Sequence, residues 1–89
     1  MAERTVTLVN QLGLHARAAA KFVDAASRYR CNIEIVRGDE TVDGKSILGL
    51  LTLAAPRGSV LHLVATGFDD EEALNALTRL VAERFGEDS

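Results

Sequence analysis

TVTLVNQLGLHARAAAKFVDAASRY, residues 5–29, changes its hydrophobic period partway along. Thr5-Val6-Thr7-Leu8 alternates polar and apolar, the pattern of a half-buried strand. From Ala16 to Tyr29, Ala19, Phe22, Val23, Ala26 and Tyr29 share one helical face, and Arg17, Lys21, Asp24 and Arg28 share the opposite one. The junction is Gly13-Leu14-His15-Ala16-Arg17, which puts His15 at or just before a helix N-terminus. The first N–H groups of a helix have no intrahelical acceptor, and its dipole favours negative charge there. An imidazole nucleophile and a guanidinium therefore flank a ready anion site.

Further along, Cys31–Arg37 and Glu40–Val42 flank Gly38-Asp39, which reads as a hairpin. Ser46 is a natural N-cap for a short helix, and Ile47 to Ala54 is almost wholly apolar. Pro56-Arg57-Gly58 breaks the chain before the β-branched and aliphatic strand Val60–Thr66, which ends at Gly67. Asp69 with Glu72 three residues on resembles a capping box, and Asp70 and Glu71 add acid to the first turn. Leu74, Leu77, Leu80, Val81 and Phe85 form the stripe of the last helix, with Gly86 at its exit. The expected order is β-α-β-β-α-β-α, an α+β sandwich with helices on one sheet face.

Length and composition narrow the function. Eighty-nine residues are expected to make one domain, 1–89. No apolar run approaches the ~20 residues of a membrane span, and the N-terminus leads straight into strand pattern, so no signal peptide and a cytoplasmic protein are expected. A net charge of −3 and four aromatic residues argue against nucleic acid as the main partner. One cysteine excludes an internal disulfide; Cys31 alternates with Ile33 and Ile35 and reads as a small buried hydrophobe. Two histidines and one cysteine argue against a metal site, and there is no Gly-rich nucleotide loop.

The chain resembles the HPr family, the histidine-containing phosphocarriers of the bacterial phosphoenolpyruvate-dependent phosphotransferase system. The likeness rests on Gly13-Leu14-His15-Ala16-Arg17, on Lys45-Ser46-Ile47-Leu48-Gly49, and on length and element order. It implies an open-faced sandwich, a four-stranded antiparallel sheet covered on one side by three helices. It implies a monomer without cofactor or independent turnover, receiving a phosphoryl group from enzyme I and passing it to IIA domains for sugar uptake or regulation. His15 would accept the group through Nδ1 and Arg17 would stabilise it, with the backbone N–H groups of Ala16, Arg17 and Ala18 facing the phosphate. Ala18 stands where the family usually carries proline, which loosens the start of the helix but restores an N–H near the phosphate.

The resemblance also implies a phosphorylation site at Ser46 for an HPr kinase/phosphorylase, and a transcriptional regulator as a further partner. Ile47, Leu48 and Leu51 match the family's exposed docking patch, while Leu50 and Leu53 read as core. Arg17, Lys21 and Arg28 would steer acidic partners. Asn10 and Gln11 either orient the imidazole or merely finish the first strand, and His62, between valines on a strand face, reads as structural. Two alternatives share the fold: a nitrogen-branch regulatory phosphocarrier, with which Ala65-Thr66-Gly67 and the acidic Glu87-Asp88 are compatible, and a binding module acting through phosphorylated Ser46.

Overall fold

Alternation along the strands determines where everything else packs. In a computed structural model, which describes residues 1–88, Val6 of β1 (Ala2–Thr7), Ile33 and Ile35 of β2 (Asn32–Arg37), and Leu61, Leu63 and Ala65 of β4 (Val60–Thr66) are all buried on one face. β3 (Glu40–Asp43) adds Val42 to the same side. The strands form one antiparallel sheet in the order β1-β4-β2-β3. Three helices supply the opposing layer: α1 (Ala16–Ala26), α2 (Ile47–Leu53) and α3 (Asp70–Ala82). The fold is the expected open-faced sandwich, β-α-β-β-α-β-α. Its other sheet face, carrying Glu3, Thr5, Val60, His62 and Val64, is covered by none of the described residues.

The hairpin forms as its sequence indicates. Arg37 pairs with Glu40, and Gly38 takes the positive φ (60°) that a two-residue turn requires. The helices bury Ala18, Ala19, Phe22 and Ala26 of α1, Leu50 and Leu53 of α2, and Ala73, Leu74, Leu77 and Val81 of α3. Cys31 is buried as a small hydrophobe.

Three local readings are corrected. α1 stops at Ala26 instead of running to Tyr29. Arg28 and Tyr29 donate to the carbonyls three residues back, tightening the last turn, and the Lys45 ammonium donates to the Tyr29 carbonyl at 2.6 Å. Asp69 does stand at the N-cap of α3 but makes no capping bond. Its carboxylate instead accepts from the backbone N–H groups of Arg30 (2.8 Å) and Cys31 (2.9 Å), tying the start of α3 to the approach to β2. Tertiary donors from an otherwise unpaired loop outcompete the local cap, and they hold the Asp69 carboxyl below the ordinary aspartate range. Finally, Phe85 does not extend the α3 stripe. The helix ends at Ala82, and Arg84, Phe85 and Gly86 all have positive φ (57°, 55° and 77°), a left-handed turn that drops the Phe85 ring into the core from outside the helix.

Candidate functional site

The site is built where β1 has ended and α1 begins. Gly13 makes the bend possible. Its φ is +65°, and a Cβ there would lie 2.4 Å from the Ala55 carbonyl oxygen, so only glycine lets the chain pass against the loop after α2. Leu14 N–H then donates to the same Ala55 oxygen at 2.9 Å. His15 follows in extended conformation (φ −80°, ψ −179°) as the N-cap of α1.

The imidazole itself acts as the cap. Nδ1 of His15 accepts from the Arg17 N–H at 3.3 Å, and Nε2 contacts Oε2 of Glu87 at 2.5 Å. These partners assign the tautomer: Nδ1 faces a donor and keeps its lone pair, while Nε2 faces a carboxylate and carries the proton. Nδ1 therefore presents a nucleophilic lone pair at the helix N-terminus. Ala16, Arg17 and Ala18 are the first three helical residues, whose N–H groups lack intrahelical acceptors.

Around the ring lies an open depression of about 540 Å³, lined by Gln11, Leu12, His15, Ala16, Arg17 and Glu87. The Arg17 guanidinium is exposed and in no ion pair with the described residues. Leu12 is two-thirds exposed at the rim. Ala18 faces inward and is fully buried, so its contribution to the site is through its backbone alone. Lys21, expected to steer partners, donates to the Phe85 carbonyl at 2.6 Å and secures the left-handed turn. Arg28 pairs with Asp24 one helical turn back, on the exposed face.

Glu87 is the residue the sequence did not disclose. It lies 72 positions from His15, and the left-handed turn at residues 84–86 returns the chain to bring it there. Its Oε1 accepts from Asn10 Nδ2 at 3.1 Å. Burial alone would raise the Glu87 carboxyl, but the bonds from His15 and Asn10, with the positive potential of His15 and Lys21, hold it below the ordinary glutamate range. Asn10 contacts this carboxylate and not the ring. Its one sequence signal is parity, since it continues the buried series Val6, Leu8, Asn10 with a polar side chain.

The second motif lies on α2, which packs against α1. Ser46 is the N-cap: its Oγ accepts from the Gly49 N–H at 3.1 Å. Leu50 and Leu53 are buried, whereas Ile47, Leu48 and Leu51 are 44%, 72% and 40% exposed, a contiguous apolar ridge on the solvent side. His62 stands apart on the uncovered sheet face, bonded to Glu3 and Thr5. No helix among the described residues is long and apolar enough to cross a membrane.

An open-faced sandwich of four antiparallel strands and three helices, with a histidine capping the first helix beside an open depression and an exposed apolar ridge, places the chain in a class of small α+β domains. Known proteins agree. Residues 2–83 match the family model described as the PTS HPr component phosphorylation site. The chain is 53% identical over 83 residues to the phosphocarrier protein HPr of Pseudomonas aeruginosa, covering 92% of each. It is 44% identical over 87 residues to that of Neisseria meningitidis serogroup A, covering 98% of each. The crystal structure of HPr-C-His from Thermoanaerobacter tengcongensis superposes with a TM-score of 0.96 at 42% identity over the whole of both chains. The chain belongs to the HPr family of phosphotransferase-system phosphocarriers.

Proposed function

We propose that His15 is the phosphoryl acceptor and that transfer occurs at Nδ1. The observation that carries this reading is the orientation of the ring, with the Nδ1 lone pair aimed at the N-terminus of α1 and Nε2–H held by Glu87. As the Nδ1 lone pair attacks phosphorus, a P–N bond forms and the bond from phosphorus to the donor's leaving atom breaks. The proton stays on Nε2. The phosphoryl oxygens then occupy the place where the Arg17 N–H now meets Nδ1, within reach of the first-turn N–H groups of Ala16, Arg17 and Ala18. The Arg17 guanidinium is free to swing over them as a bidentate donor. Catalysis here is positioning plus charge stabilisation, and the protein has no turnover without a partner at each step.

Those partners are enzyme I as donor and IIA domains as recipients. The apolar ridge Ile47, Leu48 and Leu51, with Leu12 at the rim, supports a docking role because such contiguous exposure marks an interaction surface. Ser46 serves as a cap in the unmodified protein, and a phosphate there would favour the helix electrostatically while placing two negative charges beside the ridge. That arrangement supports Ser46 as a regulatory phosphorylation site for a kinase that would tune docking.

The test is phosphorylation by phosphoenolpyruvate and purified enzyme I, with His15→Ala alongside. Acid-labile, base-stable phosphate in the parent and none in the variant is the expected result. Labelling that persists in His15→Ala would remove His15 from the reaction. Labelling by neither sugar-branch nor nitrogen-branch enzyme I would move the function to Ser46.

A further inference from the structure

We propose that Asn10 is a positioning residue for phosphoryl transfer, holding Glu87 so that the carboxylate retains the proton on Nε2 of His15 and leaves Nδ1 as the nucleophile. This deepens the reading of His15 as acceptor and rests on it.

Asn10 is completely buried. One Nδ2 hydrogen goes to the Gly13 carbonyl at 2.7 Å and the other to Glu87 Oε1 at 3.1 Å. Both partners are acceptors only, which determines which way the amide faces. Its main-chain carbonyl accepts in turn from the Gly13 N–H at 3.2 Å, so Asn10 and Gly13 close a turn from both sides. Gly13 is wedged against the Ala55 carbonyl and Leu14 is bonded to it, so the turn is fixed to the body of the fold. The amide thus relays the position of a rigid turn to a carboxylate carried on the chain's last described residues, and that carboxylate meets the ring at 2.5 Å.

An apolar side chain would suit the core parity of position 10, after Val6 and Leu8, better than an amide does. The structure has instead an amide whose two hydrogens are divided between the turn and Glu87. The other charges around the cluster are Arg17 and Lys21, both on α1. Lys21 is bonded to the Phe85 carbonyl, and Arg17 lines the same depression as Glu87.

Nitrogen-15 spectra of the His15 ring in the full chain test the relay, for the parent, Asn10→Asp, Glu87→Gln and the double variant. Asn10→Asp keeps the shape but replaces two donors by acceptors, which repel Glu87 and the Gly13 carbonyl. The neutral parent ring is expected as a single Nε2–H tautomer. Each single variant should show a tautomer mixture, and the double variant no more than Glu87→Gln alone. Phosphoryl uptake should slow on the order of tenfold in each single variant, the scale of effect that lost positioning of a reacting group carries.

A parent-like ring in Asn10→Asp overturns the proposal. So does an effect of Asn10→Asp that persists in the Glu87→Gln background, since the path would then bypass the carboxylate. Should Asn10→Asp fail to fold, the parent itself decides. The Asn10 side-chain amide signals must follow the titration of His15 and cease to do so in Glu87→Gln; signals indifferent to that titration reject the relay. A parent that takes no phosphoryl group from enzyme I, yet shows the expected ring spectra, fails the acceptor reading and not the relay.

Discussion

Gly13 shows how much one residue without a side chain controls. Its positive φ and its 2.4 Å virtual Cβ contact with the Ala55 oxygen combine a backbone penalty with a steric one against main chain that has little room to move. Gly13→Ala should therefore cost at least about 2 kcal/mol of stability, read from the denaturant midpoint, and should slow phosphoryl uptake by displacing the turn that holds Asn10. A variant within ~0.5 kcal/mol of the parent would show that the loop after α2 yields. His62 makes the opposite case. Its bonds to Glu3 and Thr5 lie on the uncovered sheet face, so His62→Ala should leave uptake at His15 unchanged in the enzyme I assay.

Helix ends carry the next level of the argument, because each leaves polar groups that something must satisfy. At the N-terminus of α2 the Ser46 hydroxyl takes the Gly49 N–H, and Ser46→Ala should lose about 1 kcal/mol without altering acceptance by His15. At the C-terminus of the same helix Ala54 is exposed and held at φ 48°, ψ 40°, a conformation that glycine adopts without a Cβ penalty. Ala54→Gly should stabilise the fold by roughly 0.5–1 kcal/mol, the left-handed cost relieved less the entropy glycine adds to the unfolded chain. Thermal unfolding checks both. After α3 the left-handed residues Arg84 and Phe85 bear a similar strain, and it persists because the Phe85 ring is buried and its carbonyl is bonded to Lys21.

At the scale of the molecule, two carboxylates join parts of the chain far apart in sequence. Asp69 links α3 to the approach to β2, and Glu87 links the chain's end to His15 and Asn10. Both are held below their ordinary range. A carboxylate with a lowered folded-state value binds its proton more readily when unfolded. Its stabilisation is therefore full above the unfolded values of about 3.9 and 4.3 and is lost as pH falls through the folded ones. Asp69→Asn should accordingly unfold at a lower temperature than the parent at pH 7, and the gap should narrow as the pH falls below the unfolded value and close once it has passed the lowered folded one. A gap that persists in strong acid would mean that Asp69 acts by shape and not by charge.

Element order, the sheet's buried face, the Ser46 cap and the placement of His15 at a helix start were all legible in the chain, because each follows from periodicity or from contacts within a few residues. The exposed ridge of α2 was legible too, as an apolar surplus that a two-turn helix has no room to bury. What periodicity could not reach were contacts between residues whose closeness depends on the finished fold. Asp69 satisfies the local pattern of a cap yet serves a distant loop, and Phe85 keeps the helical spacing yet reaches the core after the helix has ended. Glu87 meets His15 only because a left-handed turn, pinned by a buried ring and a lysine, returns the chain to the start of α1. Periodicity alone placed an imidazole at a helix N-terminus, whereas the tertiary structure decided which of its nitrogens keeps a lone pair there. That choice depends on a proton held by a carboxylate 72 residues away.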